Sequence, residues 1–279
     1  MLLKPGDSGD AVKTLQRGLN KLGSMLLVDG DFGPGTRDAV VDARAVLHLP
    51  GPPEADDVLQ QAVAALPDPF PPLTEAGVTF IARAEVSGPR EYRRKYKNPV
   101  WPSAESGITI GIGYDLQFVD PDSLREDWGD QLPSDTVTRL STVLRERGSD
   151  ERLAQVRDVE VPLLAAMHVF QRRTLPSYQR KTLSIYPLVQ DLPPARRTAL
   201  VSLVYNRGSR LKDEDPVRQE RREMRQIRDL LAAGNFDEVA DQLEAMARLW
   251  DPEKTPGLIR RRHDEARLWR SGFEALQLN

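Results

Sequence analysis

Residues Ile108-Thr109-Ile110-Gly111-Ile112-Gly113-Tyr114-Asp115 constrain the fold of this 279-residue chain more than any other segment. Elsewhere the apolar residues recur at three- and four-residue spacings, the period of a helix. Here they alternate, the period of a strand. Ile108, Ile110 and Ile112 are expected to face a core, with Thr109, Gly111 and Gly113 on the opposite face. Asp115 shares the parity of Thr109 if the strand continues. Two bare glycines clear space beside Thr109, so that another backbone or a ligand can approach closely. An ordinary hairpin strand with glycines at its bends is the plainer alternative, but it does not explain a polar face made of a threonine, two glycines and an aspartate. The pattern implies an α+β chain that is mostly helical and carries a small β-hairpin subdomain.

A helix is predicted just before this strand. In Leu73–Glu85, Val78, Ile81, Ala82 and Glu85 fall at i, i+3, i+4 and i+7 and share one face. Thr74 is the expected N-cap, and Gly88-Pro89 ends the segment. Glu85 thus extends an apolar stripe. A carboxyl group held there is stripped of solvent, which favours its neutral form, and a neutral carboxylic acid can protonate a glycosidic oxygen. Taken alone, the helix is better read as ending in a solvent-facing glutamate; the strand that follows favours the catalytic reading.

Glu85, the block Ser106–Asp115 and Asn206-Arg207-Gly208 together resemble the phage-type lysozymes, and most of all their pesticin-like muramidase branch. The resemblance spans roughly residues 70–271, although between Gln117 and about Gln190 only helical character is shared. It implies a lysozyme-like domain that cleaves peptidoglycan glycan strands, with Glu85 as general acid and Thr109 as the active-site threonine. In the phage enzymes the second carboxylate precedes the threonine. Here the acidic residues between Glu85 and Thr109 are Glu91 and Glu105. The pesticin-like branch places its aspartate just after the glycine motif, which maps to Asp115, leaving Glu105 in reserve. Gly111, Gly113, Tyr114 and Asn206 are the expected substrate-binding positions, and a helix C-cap is the alternative role for Asn206. Glycoside hydrolysis needs one acid and one base or nucleophile on opposite faces of the sugar. The resemblance implies inversion, with Asp115 and Thr109 orienting a water.

Three short amphipathic helices are predicted before this region: one opened by Ser8-Gly9-Asp10, a second capped by Thr36, and a third from about Glu54 to Leu66. Gly6-Asp7-Ser8-Gly9-Asp10-Ala11-Val12 with Leu15-Gln16, then Val28–Thr36, is similar to the peptidoglycan-binding domain found beside wall hydrolases. The second helix departs from that pattern, with Ala43-Arg44 where Phe-Gln is usual. A docking module for another protein is the alternative. Pro67-Asp68-Pro69-Phe70-Pro71-Pro72 reads as a stiff spacer. The expected organisation is a binding bundle at 1–66, a linker at 67–72 and a muramidase domain at 73–279, the tethered binder raising the local concentration of the enzyme at its polymer.

Charge excludes some partners. Residues 1–66 carry six Lys/Arg against nine Asp/Glu, and the whole chain has a net charge of −3, so the remainder sums to zero. That balance argues against nucleic-acid binding. With no cysteine there is no disulfide or thiolate metal site. His48, His168 and His263 are far apart and read as packing or surface residues; no metal and no cofactor is expected. No apolar run is long enough to span a bilayer, and Met1–Asp7 lacks the apolar core of a signal peptide. Cytoplasmic synthesis is therefore expected, followed by holin-type release, as for a phage endolysin, or by injection, as for a type VI secretion effector. The partners expected are peptidoglycan and, for an effector, an immunity protein or secretion apparatus; the chain is expected to be monomeric.

The C-terminal half reads as helical. Val161–Phe170 is expected to be one buried helix, and Pro193-Pro194 to start another that stops at Gly208. Met224, Ile227 and Leu231 form the buried side of a charged helix, and Asp237 begins a further one. The run Pro256–His263 resembles the last lysozyme helix, with arginines expected in structural roles. The expected activity is hydrolysis of the β-1,4 bond between N-acetylmuramic acid and N-acetylglucosamine. The alternatives are a lytic transglycosylase, in which Glu85 acts alone, and a non-catalytic wall-binding protein; chitin is a further substrate that shares the linkage.

Overall fold

The computed structural model describes residues 1–67, 73–102, 105–215 and 217–273. The chain is mostly helical, with one two-stranded antiparallel sheet. It divides into two compact units: Met1–Pro69 with Ala82–Leu175, and Phe70–Ile81 with Pro176–Asn279. Most of the spacer anticipated at 67–72 lies outside the described residues. No helix among the described residues is long and apolar enough to cross a membrane.

The first unit opens with a three-helix bundle: α1 (Asp10–Leu22), α2 (Pro34–Val46) and α3 (Asp57–Ala65). Val12, Leu15, Leu19, Phe32, Val40, Leu59 and Val63 fill its core. Gln16, 1 % exposed, is the hub of the turn between α1 and α2. Its amide nitrogen reaches Asp29 Oδ1, the Asp31 carbonyl and Thr36 Oγ1 at 2.8, 3.1 and 3.1 Å, and its oxygen accepts the Gly30 N–H at 2.9 Å. Thr36, expected as the cap of α2, sits instead inside the helix and is buried. Its hydroxyl donates to the Asp31 carbonyl, and Pro34 takes the first helical position, where its missing N–H costs nothing. The third helix starts at Asp57 rather than Glu54 because Asp56 caps it, accepting the Leu59 N–H at 2.9 Å. Arg44, which stands where the wall-binding pattern has glutamine, is 6 % exposed. Its guanidinium latches the chain ahead of α3 through the Pro50 and Glu54 carbonyls and pairs with Asp56 at 3.0 Å.

Helix α4 (Glu75–Val86) carries the predicted stripe: Val78, Ile81 and Ala82 are buried and Glu85 is half-buried. Thr74 accepts the Gly77 N–H at 3.3 Å, as a cap should. One turn of helix, α5 (Pro89–Glu91), continues as a π-helical turn to Tyr96. Strands β1 (Thr109–Ile110) and β2 (Tyr114–Asp115) follow. Of α4, only the end from Ala82 onward belongs to the first unit, which also holds α6 (Pro121–Trp128), α7 (Ser134–Ser141), α8 (Asp150–Val156) and α9 (Leu163–Val169). Helix α9 begins two residues later than the stripe implied, behind Pro162, and α1 packs on it.

The run 108–114 is not one strand. Gly111 and Gly113 adopt φ of +58° and +70°, and the chain reverses between them. Glycine enters this left-handed region at little cost, so it forms a tight hairpin rather than a straight alternating strand. All three isoleucines are still buried, Ile112 from the turn itself.

The second unit holds the start of α4, α10 (Leu175–Ile185) from Pro176 onward, α11 (Pro194–Arg207), α12 (Arg222–Ala233), α13 (Val239–Ala245) and α14 (Pro256–Ser271). Leu200, Leu203, Met224, Ile227, Leu243 and Trp269 lie in its core. Inside it Glu265, fully buried, accepts from Arg262 Nη2 at 2.8 Å and from the Ser202 hydroxyl at 2.6 Å, while Arg261 donates to the Ser202 carbonyl at 3.0 Å. The arginines of α14 therefore have the structural role expected of them.

Candidate functional site

Thr109 and Asp115 are direct cross-strand partners. The Thr109 N–H and C=O point away from β2 and bond the Val100 C=O and N–H at 2.8 and 2.9 Å. The pair with Asp115 is therefore of the non-hydrogen-bonded type, in which Cα atoms approach to about 4.5 Å and side chains lie closest. Both side chains are half-buried. The two residues meet because the chain reverses at the glycines, not because they share parity along one strand.

The Asp115 carboxylate is clamped by backbone. It accepts the Gly107 N–H at 3.1 and 3.3 Å and the Gln117 N–H at 2.9 Å. Gly107 has to lack a side chain: a Cβ there would stand 2.5 Å from Asp115 Oδ1 and 2.7 Å from the Gln117 nitrogen. The hairpin base is held further by Leu116 N–H to the Ile108 carbonyl, Arg145 N–H to the Leu116 carbonyl and Gly148 N–H to the Ser106 carbonyl, at 2.9, 3.0 and 2.9 Å.

Among the other predicted residues, Gly111 does not open onto free space. A Cβ at Gly111 would meet the Trp128 ring at 3.0 Å and Ala166 at 3.2 Å, so its bareness admits protein side chains. Gly113 is exposed at the turn. The Tyr114 hydroxyl donates to Asp127 at 2.8 Å, its ring stands edge-on to Trp128, and burial followed by the Asp127 hydrogen bond pushes its phenol well above the usual value. Asp127 in turn pairs with Arg173. Glu105 lies in an exposed turn rather than on a strand. Asn206 is in the last turn of α11 with Gly208 as the cap, so it is not a helix cap itself, and it belongs to the second unit. Glu85, Thr109 and Asp115 all belong to the first.

In the sequence Gly107 is marked only by its place within the block Ser106–Asp115, and Asp127, Trp128 and Arg173 carry no signal. The glycine could have been suspected from its place one residue ahead of the alternating run. The other three act through contacts distant in sequence, which no local pattern marks.

A second feature lies on the bundle. Pro5, Gly6, Asp7, Asp31, Phe32, Gly33, Pro34 and Arg37 line a shallow cavity of about 480 Å3. Its lining combines two carboxylates and a guanidinium with two prolines and a phenylalanine. Such a surface suits a ligand with both apolar faces and charged groups. The Ser8–Asp31 bridge and the Gly6 N–H bond to the Phe32 carbonyl, at 3.1 Å, hold its two walls together.

A family model described as putative peptidoglycan binding domain matches residues 8–50. That span runs from the bridge residue Ser8 through α1 and α2 and includes the Gln16-centred turn. The N terminus of the chain therefore carries a helical domain of the peptidoglycan-binding kind, which supports peptidoglycan as a partner. No curated protein matches the chain.

Proposed function

We propose that this chain is a peptidoglycan hydrolase, an N-acetylmuramidase that cuts the β-1,4 bond between N-acetylmuramic acid and N-acetylglucosamine. The observation that carries this reading is the narrow Thr109–Asp115 pair, built by the hairpin inside the same compact unit as Glu85 and the wall-binding bundle. Glu85 protonates the leaving glycosidic oxygen. Asp115, its orientation held by two backbone N–H groups, accepts a proton from a water that Thr109 helps to place, and the water attacks the anomeric carbon. Half-burial of both carboxyl-bearing residues fits groups that work at a cleft wall rather than in open solvent. The reaction inverts the anomeric centre and needs no metal or cofactor. The enzyme meets its substrate in the periplasm or cell wall after holin-type release or injection.

A second reading, a wall-binding protein that does not cut, is favoured by the confinement of the family match to residues 8–50. Digestion of purified peptidoglycan by the parent, Glu85→Gln and Asp115→Asn, with mass spectrometry of the fragments, separates the two. Reducing N-acetylmuramic acid ends from the parent, lost in both variants, are expected. Anhydro ends would mean a transglycosylase. Full activity in Asp115→Asn would move the second role to Glu105 or Glu91. A parent that binds sacculi and releases nothing would leave the binding protein.

A further inference from the structure

The helix end that carries Glu85 is gripped from the wall-binding bundle. After α4 the chain turns through Ser87 and Gly88, with φ of +61° and +106°, and the Ser87 N–H bonds the Arg83 carbonyl at 2.7 Å. The Arg83 guanidinium folds over this turn: a Cβ on Gly88 would lie 3.0 Å from its Nη1 and 3.3 Å from its Cζ. The same Nη1 donates to the carbonyl of Met25, in the bundle, at 2.7 Å. One side chain thus touches both ends of the segment 83–88, with Glu85 between them.

The acceptor is itself rigidly presented. Met25 is fully buried with φ of +53°, a conformation that a non-glycine residue adopts only where its surroundings hold it. Asn20 holds that turn, its side chain accepting the Leu26 N–H at 2.7 Å and donating to the Leu26 carbonyl at 3.0 Å. Two more contacts fasten the bundle to the segment 82–175. Arg93 pairs with Asp42 at 2.5 Å. Gly23 lies so close to α9 that a Cβ there would stand 2.4 Å from Met167 Cβ.

We infer that Arg83 is a positioning residue for Glu85, and that the peptidoglycan-binding bundle is part of the scaffold of the catalytic site rather than a separate tethered binder. The inference rests on the muramidase reading. A helix terminus has few internal hydrogen bonds and opens easily, and a misplacement of about 1 Å at a reacting group costs about 100-fold in rate. A planar guanidinium can lie against Gly88 and still donate sideways to a carbonyl; an ammonium can do only the second.

A tethered binder acts only through local concentration on its polymer, so disturbing its docking leaves turnover of a short soluble substrate unchanged. The test is kcat and KM on soluble, peptide-stripped glycan oligosaccharides and on intact sacculi, for the parent, Glu85→Gln, Arg83→Gln, Arg83→Lys and Gly23→Ala. Arg83→Gln is expected to lower kcat on the soluble oligosaccharide at least about tenfold with little change in KM, and Arg83→Lys to recover part of the loss. Gly23→Ala pushes on the same junction from the bundle side and is expected to lower kcat in the same direction; it decides the matter if Arg83→Gln does not fold. An active parent whose kcat on the soluble substrate is unchanged by these substitutions would overturn the inference and leave the muramidase reading standing. A parent inactive on both substrates would overturn the muramidase reading, and with it the role given to Arg83.

Discussion

Replacing Gly107 by alanine tests the hairpin clamp with a single methyl group. The added carbon would sit 2.5 Å from Asp115 Oδ1 and 2.6 Å from Gln117 Cβ. Restoring an ordinary contact of 3.4 Å moves the carboxylate by about 0.9 Å, which breaks the hydrogen bonds it now receives from Gly107 at 3.1 and 3.3 Å. Loss of a hydrogen bond to a charged group costs about 1.5–3 kcal/mol, and overpacking costs about 1–3 kcal/mol. The two describe one event, so a destabilisation of about 2–4 kcal/mol is expected in all. Urea unfolding gives it as a lower midpoint at unchanged slope. Under the muramidase reading, kcat falls by about 100-fold as well, since the displaced group bears on the attacking water. The double variant with Asp115→Ala removes the group that the methyl strikes, so the two substitutions should couple by about 1 kcal/mol or more. Strict additivity, or a Gly107→Ala midpoint within about 0.5 kcal/mol of the parent, would refute the clamp.

Three further outcomes are expected. Arg44→Met takes the guanidinium from the Pro50 and Glu54 carbonyls and leaves Asp56 only the Leu59 N–H, and should cost about 2–4 kcal/mol by thermal unfolding. Asp56 itself, held below its ordinary value of 3.8 first by the Leu59 N–H and then by Arg44, contributes stability that is complete above that pH and is lost as pH falls through its lower folded value; Asp56→Asn should flatten the acid limb of the stability profile. Glu265→Ala strands Arg262 and Arg261 inside the second unit and should cost about 3–5 kcal/mol, more than joint replacement of Glu265 and Arg262 by apolar residues of similar size, a difference that denaturant midpoints resolve.

Much of the helical architecture was legible. The apolar faces of α4 and α12 lie where the sequence puts them, because each follows from spacing within one element, and a spacing of three and four residues has one physical meaning. Termini were less secure. Thr36 carries an N-cap residue type but lies inside α2, because Pro34 two residues earlier already has the backbone angle of a first helical turn. A hairpin is expected, but its reversal is hidden within the run 108–114 for a related reason: alternation of isoleucine with glycine fits one straight strand and equally a turn that buries every isoleucine, and only the sign of φ at Gly111 and Gly113 separates them.

The residues of the candidate site were named from sequence, since a carboxylate on an apolar helix stripe and a threonine and aspartate flanking glycines are local patterns. What brings Thr109 opposite Asp115, clamps the aspartate on the Gly107 amide, fills the space at Gly111 with Trp128 and Ala166, and ties the Glu85 helix to Met25 was decided by tertiary structure alone. Those contacts join residues as far as 58 positions apart. Periodicity says which face of an element is apolar, but which distant element meets that face is set by chain reversal and packing, and neither leaves a mark within a short window of sequence.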